Sequence, residues 1–177
     1  SIAALDDDKD HTAAWLAQLR TVNRAALSPA EQVNYDAVAF TFEADAVAGK
    51  RYAFGNEGAE EPYVLSQLTG AYQDTPDFLD TQHSIETKAD ADAYLSRMEG
   101  FARLMDQETA LAKQDMADGV IPPDFIIDKT LIQMKAFADT PTADAPLVKS
   151  IARRTKVKNI AGDWAGGGAL IGSEPLV

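Results

Sequence analysis

Residues 87–119 read TKADADAYLSRMEGFARLMDQETALAKQDMADG. Thr87 and Asp90 form a variant capping box, with Asp where Glu or Gln is usual, so a helix starts here. Tyr94, Met98, Phe101, Met105, Ala112 and Met116 then recur at helical spacing and form one apolar stripe. Gly119 supplies the stop. A helix this long with one apolar side must be covered by other elements, and no strand-length alternation with hairpin turns occurs in the chain, so the fold class is all-α.

Upstream the same period continues. Trp15, Leu16, Leu19, Val22 and Ala26 fall at helical spacing. Ser28-Pro29-Ala30-Glu31 reads as a second capping box with proline in the first turn. Val33, Ala37, Phe40, Ala44 and Val47 follow at spacings of four and three, while Tyr35, Val38 and Phe42 make the other face apolar. A helix apolar on two sides is expected to be sandwiched, and Gly49 is its natural end. Lys50 to Glu61 reads as a loop, and Pro62 to Thr69 as a short helix. Gly70 to Ser84 reads as a long connection with one helical turn near Pro76 to Leu79.

Downstream, Pro122-Pro123-Asp124 opens a helix whose buried face is Ile127, Leu131, Met134 and Ala138. Thr140-Pro141 breaks it. A last helix runs from Ala145 to about Thr155. The Gly162 to Gly172 stretch has neither P-loop nor dinucleotide-binding spacing, and reads as a flexible connection. The expected architecture is a bundle of about five to six helices with one long loop. Residues 1–160 are expected to form a single domain, and 161–177 a glycine-rich connection or tail.

Composition narrows the chemistry. A formal charge of −12 leaves no basic face for nucleic acid and disfavours anionic membrane surfaces. The chain has no cysteine, which excludes disulfides, thiol nucleophiles and thiolate-bound zinc. No apolar run approaches the ~20 residues of a membrane span, so no membrane insertion is expected. The two histidines, His11 and His83, have no histidine partner at helical spacing, and no His-Glu-x-x-His or Glu-x-x-His occurs. Both read as structural or surface residues, with His83 placed to cap or orient the following helix. Asp90 and Asp92 are acids favoured by the helix dipole rather than a catalytic pair. Ser84 beside His83 gives no triad geometry. Arg153, Arg154, Lys156 and Lys158 form a basic cluster suited to a helix C-terminus.

Two segments carry more than composition. They are SQLTGAYQDTPDFLDTQHSIETKADADAYLSR at residues 66–97 and GVIPPDFIIDKTL at residues 119–131. With LRTVNRAALSPAEQVNYDAV at residues 19–38, they resemble the N-terminal part of the bacterial family catalogued as domain of unknown function 885. The resemblance runs from about Leu19 to Phe137. It implies a helical, exported zinc metallopeptidase-like protein similar to helical metallocarboxypeptidases, whose His-Glu and Pro-Gly-His-His ligand segments lie downstream. The family's usual first helix would precede Ser1.

On that resemblance the chain is a non-catalytic N-terminal lobe forming one wall of a peptide-binding cleft, in a bacterial periplasmic protein. Its partner would be the catalytic half of its own polypeptide, and the zinc would sit in that C-terminal part. No catalytic residue and no metal ligand transfers to these residues. The cleft candidates are Gln67, Tyr72, Asp80, His83 and Lys129. The alternative reading is a stand-alone helical interaction module without enzymatic activity.

Overall fold

The computed structural model describes residues 2–52, 54–55 and 61–172, and all the regular structure among them is helical. The chain divides into two compact units, residues 1–62 and 63–177.

The first unit is a helical hairpin of α1 (Ile2–Leu19) and α2 (Pro29–Arg51). The expected capping box forms: Ser28 Oγ accepts from the Glu31 N–H at 3.4 Å, and Glu31 Oε2 accepts from the Ser28 N–H at 2.8 Å. Gly49 does not stop α2, which continues to Arg51. Leu16 of α1 is buried, and the Trp15 and Phe42 rings meet at 6.0 Å. Arg24 grips both Asp36 oxygens at 2.6 Å, and Arg20 meets Glu43 at 2.9 Å. These pairs are exposed and screened by solvent, so they add little to stability. The sandwiched helix expected for α2 is not found. Tyr35 and Phe42 are half-buried, but Val33, Phe40 and Val47 are 67%, 74% and 65% exposed.

The second unit holds α3 (Ala71–Thr81), α4 (Lys88–Ala117), α5 (Asp124–Ala138), α6 (Pro146–Val157) and α7 (Trp164–Gly172). Its core gathers Leu79, Tyr94 and Ile151, all fully buried, with Ala91, Met98, Phe101, Met105, Leu147, Val148 and Trp164. The α4 capping box is present: the Thr87 N–H donates to Asp90 Oδ2 at 2.8 Å, and the Asp90 N–H to Thr87 Oγ1 at 3.3 Å. At the other end Gly119 takes φ +85. Its N–H bonds the Met116 carbonyl and that of Val120 bonds the Asp115 carbonyl, a Schellman stop. The α4 stripe holds through Met105 and then continues on Glu108 and Asp115, both buried, while Met116 is 58% exposed.

Other expectations fail for identifiable reasons. Residues 62–69 are not helical; Ser66 Oγ accepts from the Leu68 and Thr69 N–H groups, each at 3.0 Å, and makes a side-chain-closed turn. Residues 71–81, read as mostly loop, are helical with Pro76 inside. In α5 the buried position is Thr130, with Met134 and Phe137 against the core, while Leu131 is 59% exposed and Ala138 is exposed.

The glycine-rich stretch is α7 through Gly172; residues 173–177 of the expected tail lie outside the described residues. Asp163 caps α7 by accepting from the Gly166 N–H at 2.9 Å. A Cβ on Gly167 would lie 3.1 Å from Leu95 of α4. One on Gly168 would lie 3.4 Å from a Val148 methyl and 3.7 Å from that residue's Cα on α6. The glycines therefore allow close helix–helix approach rather than a loose connection.

Gly168→Ala should leave the urea midpoint unchanged or raise it, because the new methyl makes ordinary contacts and alanine favours helix by up to about 1 kcal/mol. Gly168→Leu should lower stability by about 2 kcal/mol by pushing α7 off α6.

Candidate functional site

The segment that carries the resemblance folds as a short turn, then α3, then the His83 turn into α4. The candidate residues sit along it. Gly70 has φ +117 and no side chain with which to cap α3. Glu108 of α4 supplies the cap instead: its two carboxylate oxygens accept from the Ala71 N–H at 2.9 and 3.0 Å. Burial pushes the Glu108 carboxyl above the usual carboxylate range, the Ala71 N–H pulls it back, and Asp74 pushes it up again.

On the solvent side of this cap lies a cluster of amides. The Tyr72 hydroxyl lies 2.6 Å from the Ser66 carbonyl and 2.8 Å from Gln133 Oε1 of α5, and it accepts from Gln73 Nε2 at 2.8 Å. Gln73 Nε2 also reaches the Gln67 carbonyl at 2.6 Å. Gln67 Oε1 is buried and has no hydrogen-bond partner among the described residues. Leu68, next in the turn, is 75% exposed.

The other candidates lie elsewhere on the unit. Asp80 Oδ1 accepts from Ser150 Oγ at 2.5 Å and from Arg153 at 3.3 Å, tying α3 to α6. Asp80, Ser150 and Arg153 line an open cavity of about 680 Å³ with Pro76, Asp77, Pro146, Leu147 and Lys149. His83 is buried and holds the turn: one ring nitrogen, Nε2, is 2.9 Å from the Asp90 carbonyl, and the other, Nδ1, faces an Arg97 guanidinium nitrogen. A carbonyl can only accept and a guanidinium can only donate, which assigns the proton to Nε2 and the lone pair to Nδ1. The ring also packs edge-on against Tyr94 at 5.3 Å. Lys129 is exposed on α5.

The structure thus joins Gln67 and Tyr72 through Gln73, commits Asp80 and His83 to other contacts, and places Lys129 one helical turn before Gln133 on α5. The basic cluster acts on the same segment. Arg154 donates to the Leu79, Asp80 and His83 carbonyls, and Lys158 pairs with Glu86 at 2.5 Å. Asp90 is held well below the usual carboxylate range by the Thr87 hydroxyl and the Glu86 and Thr87 N–H groups, while Asp92 pairs with Lys88, so the two acids do separate work. His11, in the first unit, stacks on Trp15 at 5.7 Å and lies 3.5 Å from Asp7. Among the described residues no group of three His, Cys, Asp or Glu could hold a metal ion. No helix among them is long and apolar enough to cross a membrane.

Gln73, Gln133, Ser150 and Glu108 were not singled out in the sequence. Glu108 had a signal: it falls on the register set by Tyr94, Met98, Phe101 and Met105, where an acid is out of place. Glu108→Ala should cost about 1 kcal/mol by uncapping α3. Because folding raises the Glu108 pKa, its contribution is full below the ordinary carboxylate range and is lost as pH rises through the folded value. Urea titrations from roughly pH 4 to pH 8 should therefore show wild type losing ground to Glu108→Gln as pH rises.

Comparison with known proteins places the chain. No curated protein and no solved structure matches it. The family model described as "Bacterial protein of unknown function (DUF885)" matches residues 1–166, more of the chain than the quoted segments alone span. The chain belongs to this bacterial family.

Proposed function

We propose that these residues are the non-catalytic N-terminal helical part of an exported zinc-dependent peptidase-like protein, and that they form one wall of its peptide-binding cleft. The observation that supports this reading is the amide cluster of Gln67, Gln73 and Gln133. It presents the exposed side-chain amide of Gln133, 3.5 Å from the Gln67 carbonyl, and next in that turn is the exposed Leu68. A peptide main chain offers N–H donors at regular spacing with side chains alongside, which is the chemistry such a wall would meet. His83 has both ring nitrogens committed within its turn. On this reading, metal ligation and the activation of water belong to residues downstream, in a catalytic half of the same polypeptide. The exposed Phe125, Leu131 and Ile132 of α5 provide apolar surface for that half to cover.

The alternative, a stand-alone interaction module without activity, draws support from the second unit's own buried core around Leu79, Tyr94 and Ile151. The two readings separate in one experiment on the full product of the gene. Metal analysis should find stoichiometric zinc and peptide hydrolysis in that product, and neither in residues 1–177 alone. Gln133→Leu in the active protein should raise KM roughly three- to tenfold with little change in kcat, the size of one lost hydrogen bond. A full-length product without zinc, or hydrolysis by residues 1–177 alone, would overturn the proposal.

A further inference from the structure

The first unit carries a feature that the peptide-cleft reading does not use. Val33, Ala37, Phe40, Ala44 and Val47 form a straight seam on α2, turned away from the face that meets α1. All five are exposed. Spacings of four and three are those of knobs-into-holes packing, and the seam covers two heptads. Solvated single helices rarely keep three large apolar residues in line.

We propose that this seam is the contact between two copies of the chain, with α2 packed antiparallel against α2 of the second copy across a two-fold axis near Phe40. Three observations select a second copy. First, the seam reads valine, alanine, phenylalanine, alanine, valine in either direction. An antiparallel copy therefore presents the same side chains in nearly the same places, as an isologous contact requires. Second, the acids that flank the seam, Asp36 and Glu43, are neutralised within each hairpin by Arg24 and Arg20. These two flanking acids therefore add no uncompensated like charge to the contact, even though the chain's net charge is −12. Third, antiparallel helices oppose their macrodipoles, which favours this direction over the parallel one.

The test uses the 177-residue chain. Sedimentation equilibrium should show twice the 19.0 kDa monomer mass, with a dissociation constant below about 1 mM. Phe40→Lys should weaken the dimer at least tenfold while leaving the helical circular dichroism unchanged. Direction is read by oxidation, which is clean because the chain has no cysteine. A mixture of Val33→Cys and Val47→Cys should cross-link to each other faster than either does to itself. A monomer at millimolar concentration would overturn the proposal, as would a dimer indifferent to Phe40→Lys. Preferential like-with-like cross-linking would overturn the antiparallel arrangement.

Discussion

A helix of eleven residues with a proline in its sixth position has little stability of its own, and α3 persists because other helices satisfy its ends. At the N-terminus Glu108 accepts from the first N–H; at the C-terminus Arg154 reaches the Leu79 and Asp80 carbonyls and the following His83 carbonyl. The two clamps come from α4 and α6, so neither of those helices can shift without uncapping α3. The amide cluster, the His83 turn and the start of α4 all hang from this arrangement. Residues 66–97 are therefore held by long-range polar contacts as well as by the buried Leu79 and Tyr94.

This explains what could be read from the residues and what could not. Capping boxes are local, and both were legible: Ser28 with Glu31, and Thr87 with Asp90, start helices where expected. The Tyr94 to Met105 stripe was legible for the same reason. The caps of α3 lie 37 and 75 residues away from the groups they satisfy, so a local reading saw Gly70 and Pro76 and concluded loop. Close approach of backbones is likewise invisible in one dimension. Gly167 and Gly168 look like a flexible connection until Leu95 and Val148 are seen against them.

The candidate site was legible in part. Gln67 and Tyr72 are bridged by Gln73, because the Ser66 turn and the start of α3 are neighbours in sequence. Asp80 and His83 work as fasteners between helices, which their residue types alone could not reveal. A buried histidine between a carbonyl and a guanidinium has the composition of a site and the geometry of a strut.

The three glycines of α7 also bear on how the second unit opens. A helix with three consecutive glycines has poor intrinsic propensity, so its hydrogen bonds survive only while α4 and α6 press against it. Its amides therefore belong to the fast-exchanging end of the unit. Their protection tracks the seating of α7 rather than global unfolding, which makes α7 a built-in gauge of how tightly α4 and α6 are held together.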